Sequence, residues 1–185
     1  MSRLRRTHAR RGRRGREPDA PAAPRRARPT AVEVTWAGGE PFLGVAAIRK
    51  AARAALAEGR RPTLRLSIAC LTDRRLARLH DEWLGDPSPT DVLSFDLSDG
   101  ISETGEILVS HECARRTARA RAVDARRELS LYVVHGVLHL CGHDDHAPRD
   151  RARMRAAEAR VLASLGWAPD SHPHDETDRR PRRGA

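Results

Sequence analysis

Aromatic side chains are nearly missing from this sequence. Three Trp, two Phe and one Tyr make up 3% of its 185 residues. A core organised around stacked rings is excluded, and the 39% hydrophobic content implies one built from Leu, Val, Ala and Ile. Lysine is scarcer still, with Lys50 alone among arginines. Cysteine occurs three times, as Cys70, Cys113 and Cys141, an odd number with no CxxC pair. That excludes a disulfide framework and points to reduced thiols beside apolar runs in a cytoplasmic protein. No stretch approaches the roughly 18 to 20 apolar residues of a membrane span. The amino-terminal stretch MSRLRRTHARRGRRGRE has charge but no apolar centre, which excludes a secretory signal.

The net charge of +10 is unevenly spread. Residues 1–30 carry 11 Arg against Glu17 and Asp19, and residues 168–185 carry four Arg against four acids. By difference, the segment between them holds 20 basic and 19 acidic residues and is close to neutral. The basic signature that would favour a nucleic-acid partner therefore belongs to the tail. Residues 1–30 alternate Arg, Pro, Ala and Gly without apolar periodicity, so they bury too little surface to offset ordering entropy. The expected organisation is a disordered tail (1–30), one folded domain (31–167) and a second disordered tail (168–185).

Within the domain, AVEVTW (31–36) alternates and reads as a strand. VAAIRKAARAALAEG has helical spacing and stops at Gly59. PTLRLSIAC (62–70) alternates again, and Thr72 caps a helix running to about Leu84. GDPSPT (85–90) breaks the pattern, after which DVLSFDLS (91–98) and GEILVS (105–110) read as strands. Three helices follow: HECARRTARARA, then ARRELSLYVVHGVLHLC capped by Asp124 and stopped by Gly142, then 148–166 opened by Pro148. The order β-α-β-α-β-β-α-α-α implies a mixed arrangement with a small sheet covered by helices.

The stretch HGVLHLCGHDDH (135–146) carries the chemistry. His135 and His139 are four apart, which stacks them on one helix face within reach of a single ion. The helix around them is otherwise apolar, a setting in which two histidines need partners. Gly136 costs about 1 kcal/mol in a helix interior, so close packing there wants no side chain. Gly142 ends the helix and lets the next residues fold back toward His139. Cys141 reads as a packing residue, although a thiol ligand role is conceivable. Gly136 stands where a zinc peptidase of the H-E-x-x-H kind places its glutamate, so peptide hydrolysis by that route is excluded.

HGVLHLCGHDD, PTDVLSF (89–95) and GEILVS occur in the order found in the YbeY family, bacterial endoribonucleases of ribosomal RNA maturation, and the chain resembles that family over roughly 31–167. The resemblance implies a single α+β domain with a small mixed four-stranded sheet and a metal site at the end of a central helix. It also implies one zinc ion and cleavage of single-stranded RNA at the 3′ end of a 16S rRNA precursor. A role in 70S ribosome quality control follows, with rRNA and the ribosome or its proteins as partners. The third ligand in the family is a histidine ten positions after the first. Here that position is Asp145, with His146 one later. Asp145 is favoured because it needs no insertion and a carboxylate binds zinc well, and His146 is the alternative. Of the ligands His135, His139 and Asp145, His135 is read as catalytic. Asp144 is expected to orient a ligand imidazole from behind, and His143 to pack or hydrogen-bond.

One more departure precedes the strand motif. The family's arginine falls on Leu84, which removes a cationic helper for phosphate. Trp83 beside it reads as a core aromatic, with base stacking as the alternative. Thr90 and Ser94 are expected to pack or cap near the strand. An open three-ligand site favours an enzyme with a water on the metal. The missing arginine favours a ribosome-assembly factor with a structural metal, and hydrolysis of another substrate is a third reading.

Overall fold

The computed structural model describes residues 31–168. The tails expected to be disordered lie outside the described residues, apart from Ala168. The elements are β1 (Val32–Trp36), α1 (Val45–Glu58), β2 (Arg65–Leu71), α2 (Asp73–Leu84), β3 (Val92–Asp96), β4 (Thr104–Ser110), α3 (His111–Arg121), α4 (Ala125–Leu140) and α5 (Pro148–Ser164). The order matches the sequence reading. β2 begins at Arg65 rather than Pro62, after a turn in which the Leu64 amide donates to Arg61 O, and β3 ends at Asp96, whose carboxylate accepts from the Ser98 amide; β2 and β4 each gain one residue, Leu71 and Thr104.

The sheet order is β1-β2-β4-β3. β1 and β4 flank β2 in parallel, and β3 closes one edge antiparallel to β4. Alternation gives the sheet two unlike faces. Val32, Leu66, Ile68, Cys70, Ile107 and Val109 belong to the main core with residues of α1, α4 and α5. Leu71, Leu93 and Leu108 form a smaller cluster with Leu76 of α2.

Helix α4 packs against α1, α3, α5, β3 and β4. A helix packed on several sides needs apolar residues on more than one face, and the later part of this one supplies them. From Leu131 to Leu140 every residue is buried except His135 and His139. Its start is capped by Asp124, which accepts a hydrogen bond from the Arg126 amide at 2.7 Å. Gly136 sits where α4 crosses the sheet. A Cβ there would lie 2.8 Å from Ser94 Oγ and 3.1 Å from Ile107 and Val92. The glycine thus lowers the helix onto β3 and β4, at the expense of helix propensity.

The end of α4 is sharply defined. Gly142 adopts φ +87°, the Gly142 amide donates to His139 O at 2.9 Å, and the His143 amide donates to Leu138 O at 3.0 Å. This paired pattern needs a left-handed residue, which glycine supplies without strain. It turns the chain back along the helix end, toward the exposed side of His139.

Candidate metal centre

The two half-buried histidines of α4 point their rings at each other. Their Nε2 atoms are 3.0 Å apart and their ring planes are nearly perpendicular, at 83°. Both Nδ1 atoms are engaged elsewhere. His135 Nδ1 lies 2.7 Å from Glu158 Oε1 on α5, and His139 Nδ1 lies 3.0 Å from the His143 carbonyl oxygen. A carboxylate and a carbonyl only accept, so each Nδ1 donates, and each ring in its neutral form presents a bare lone pair at Nε2. Two lone pairs that close repel unless a cation or a proton lies between them.

The loop 141–147 brings a carboxylate to the same point. Asp145 Oδ2 is 3.9 Å from His135 Nε2, and Asp145 Oδ1 is 3.7 Å from His139 Nε2. The ligand atoms of His135, His139 and Asp145 lie within 4.8 Å of one another, a cluster able to hold a metal ion. Two imidazole nitrogens and a carboxylate suit a divalent ion such as zinc, so the residues fit the group.

The group containing both helical histidines contains Asp145 and not His146. His146 is exposed, its Nδ1 2.5 Å from Asp144 Oδ1. Asp144 differs from expectation. It shows no hydrogen bond to the ring of His135 or His139; its Oδ1 also accepts from the backbone amides of Asp145 and His146 at 2.7 and 3.2 Å. Asp144 therefore shapes the loop that carries Asp145, and the orienting role falls to Glu158. His143 contributes through its carbonyl. Cys141 packs against Gly59, where an added Cβ would lie 2.4 Å from its sulfur, so its side chain turns away from the histidines. Thr90 Oγ1 donates to Val92 O at 3.2 Å, and Ser94 faces Gly136.

Three residues at the site escaped the sequence reading. Glu158 had a signal, an acid within the buried stripe Met154, Ala157, Val161 of α5. Arg151, also on α5, clamps the loop. Its Nε donates to Asp145 O at 3.1 Å and its Nη2 to His146 O at 2.9 Å. Arg61 donates to Leu140 O at 2.6 Å and to Asp96 at 2.8 Å, tying the end of α4 to β3. Neither arginine stands out by periodicity.

Charge follows these contacts. Burial disfavours a charged His135 ring, but the hydrogen bond and negative charge of Glu158 outweigh it and the pKa rises. Burial, and then the neighbouring His135, lower the pKa of His139, which keeps its ring neutral at pH 7. Beside His139 opens a cleft of about 470 Å³, lined by Arg61, Ser94, Asp96 and the end of α4. Trp83 does not join the core as expected. It is 47% exposed, with Phe95 edge-on against it at 5.2 Å, where α2 ends at Gly85. Leu84 is 56% exposed. No helix among the described residues is long and apolar enough to cross a membrane.

Comparison with known proteins shows what the chain is similar to. The family described as endoribonuclease YbeY matches residues 44–166. The endoribonuclease YbeY of Myxococcus xanthus is 36% identical over 137 residues, covering 71% of this chain and 47% of that protein. That of Anaeromyxobacter (strain Fw109-5) is 38% identical over 122 residues, covering 64% of each chain. That of Mycobacterium bovis is 34% identical over 137 residues, covering 66% of this chain and 76% of that one. The chain thus spans about half to two thirds of the length of the first two relatives. In fold, it is similar to the solution structure of TM1509 from Thermotoga maritima, with a TM-score of 0.53 at 21% identity, over 72% of this chain and 88% of that one. A matching family pattern across both the strand and histidine motifs, with relatives above 30% identity, places this chain in the endoribonuclease YbeY family.

Proposed function

We propose that this protein is a zinc-dependent endoribonuclease of the cytoplasm that cleaves single-stranded RNA at the 3′ end of a 16S rRNA precursor and acts in 70S ribosome quality control. The observation that carries the reading is the convergence of two imidazole lone pairs and one carboxylate, with both Nδ1 hydrogens tied off behind them. His135, His139 and Asp145 would hold one zinc ion, with His135 the catalytic member. When bound, such an ion supplies Lewis acidity, which lowers the pKa of an attacking water toward neutrality and polarises a phosphoryl oxygen.

The chain's own residues do the rest. Glu158 fixes the His135 ring and makes it a better donor. His139 stays neutral and keeps its lone pair available. The Asp144 turn and the Arg151 clamp hold Asp145 against the histidines. The cleft beside His139 offers room for the substrate strand next to the reacting phosphate.

A second reading, a ribosome-assembly factor with a structural metal, is favoured by one observation: the uncharged, exposed Leu84 at the position of the family's arginine. Metal content and cleavage of a 16S 3′-end precursor separate the two. Wild type is expected to bind one metal ion and cleave, and His139→Ala and Asp145→Ala to lose both. Stoichiometric metal without cleavage above the His139→Ala background would select the assembly factor. Metal lost in His146→Ala but kept in Asp145→Ala would overturn the ligand assignment.

A further inference from the structure

Trp83 is a large aromatic at the end of α2 that belongs to neither core cluster. Its ring is held edge-on by Phe95, with an interplanar angle of 80°, and 47% of the residue faces solvent. Phe95 follows Ser94 on β3, and successive strand residues point to opposite faces. Ser94 lines the cleft beside His139. β3 is an edge strand of the sheet, so the aromatic pair and the cleft stand on the two sides of one free strand edge.

The surroundings decide what the ring would hold. The cleft's arginine, Arg61, is engaged by Asp96, Glu103 and the Leu140 carbonyl, so it has little charge to offer a phosphate. Leu84, next to Trp83, is exposed and uncharged. The folded segment as a whole is near neutrality. Stacking on an aromatic face is a sequence-tolerant means of holding a single strand that needs no local charge. A paired base has no free face to offer.

We infer that Trp83, propped by Phe95, is a stacking subsite for an unpaired RNA base on the far side of the β3 edge from the metal centre. The inference rests on the reading of that centre as an RNA site. It makes Trp83 a determinant of single-strand preference.

The test measures binding of an uncleavable 2′-O-methyl single-stranded oligonucleotide to the full-length protein, by anisotropy and by tryptophan emission. Wild type is expected to bind with quenching. Trp83→Ala should bind about tenfold more weakly or worse, with metal content unchanged. Trp83→Phe should retain most of the affinity but lose the quenching, which shows that the quenched ring is Trp83 and that the fold is intact. Trp83→Ala binding as tightly as wild type would overturn the subsite and leave the nuclease reading standing. Equal binding and quenching by the corresponding duplex would also overturn it. A wild type that binds no single-stranded RNA would overturn both.

Discussion

Helix α4 and the loop that follows it supply the same candidate metal centre by different physics. The helix places His135 and His139 through packing, on a rod buried on every other side from Leu131 to Leu140. The loop 141–147 has little apolar surface and places Asp145 through polar ties: the Gly142 turn, the Asp144 side chain and the Arg151 guanidinium. A ligand held by packing shares its fate with the whole fold. A ligand held by hydrogen bonds can be released while the fold survives. The two regions should therefore separate when stability and metal affinity are measured side by side.

The largest expected effect tests the helix. Leu138, next to His139 in α4, is fully buried. Leu138→Ala removes core volume and should lower the unfolding free energy by about 2–5 kcal/mol in denaturant titration. His146→Ala, in the loop, should change it by less than about 0.5 kcal/mol, since the side chain is exposed. Comparable losses from the two would show that the loop is part of the cooperative core.

The next effect lies where the two regions meet. Glu158→Ala leaves the His135 Nδ1 hydrogen without its acceptor and frees the ring to turn. Zinc affinity, read by competition with a chromophoric chelator, should fall about 10- to 100-fold. Glu158→Gln, which keeps an accepting oxygen, should recover part of it. Arg151→Ala should weaken zinc binding by up to about tenfold while leaving unfolding within about 1 kcal/mol of wild type. Lysine should not rescue it, because two carbonyls, those of Asp145 and His146, are spanned by one planar fork. Unchanged affinity in Arg151→Ala would mean that the loop is held by its own turns.

What could be read in advance divides along the same line. Period and caps foretold α4, because Asp124 and Gly142 are local signals and an apolar run with two histidines is conspicuous. Gly136 foretold a close crossing, now seen against Ser94. The loop was legible only as far as Asp145. Its ties come from α5, and which carbonyls Arg151 reaches is set by how two helices pack rather than by any spacing. The expectation for Asp144 rests on the family motif, which lies within one stretch of chain, whereas the partner of His135, Glu158, lies 23 residues away. Helical spacing at the end of α2 predicts a packed aromatic at Trp83. Here the sheet's second face carries only α2 and a small cluster, and that layer ends before it covers the ring.

The smallest effect concerns the knot at which Arg61 ties the end of α4 to β3. Hydrogen bonds from Ser98, and then from Arg61, hold the Asp96 carboxyl down from 3.8 to about 2. A carboxyl depressed in the folded state stabilises it above the unfolded pKa, and that contribution fades as pH falls through the folded pKa. The difference in stability between wild type and Asp96→Asn should thus be constant above about pH 5 and vanish between 3.8 and about 2. The Asp96 side chain is 44% exposed, so solvent screens the pair and the plateau should stay below about 1 kcal/mol. Arg61 would still reach the Leu140 carbonyl in that variant. The end of α4, and with it zinc affinity, should therefore be unmoved. A fall in affinity alongside the small loss of stability would place Asp96 among the residues that hold His139, and would show that even the packed half of the site depends on a polar tie.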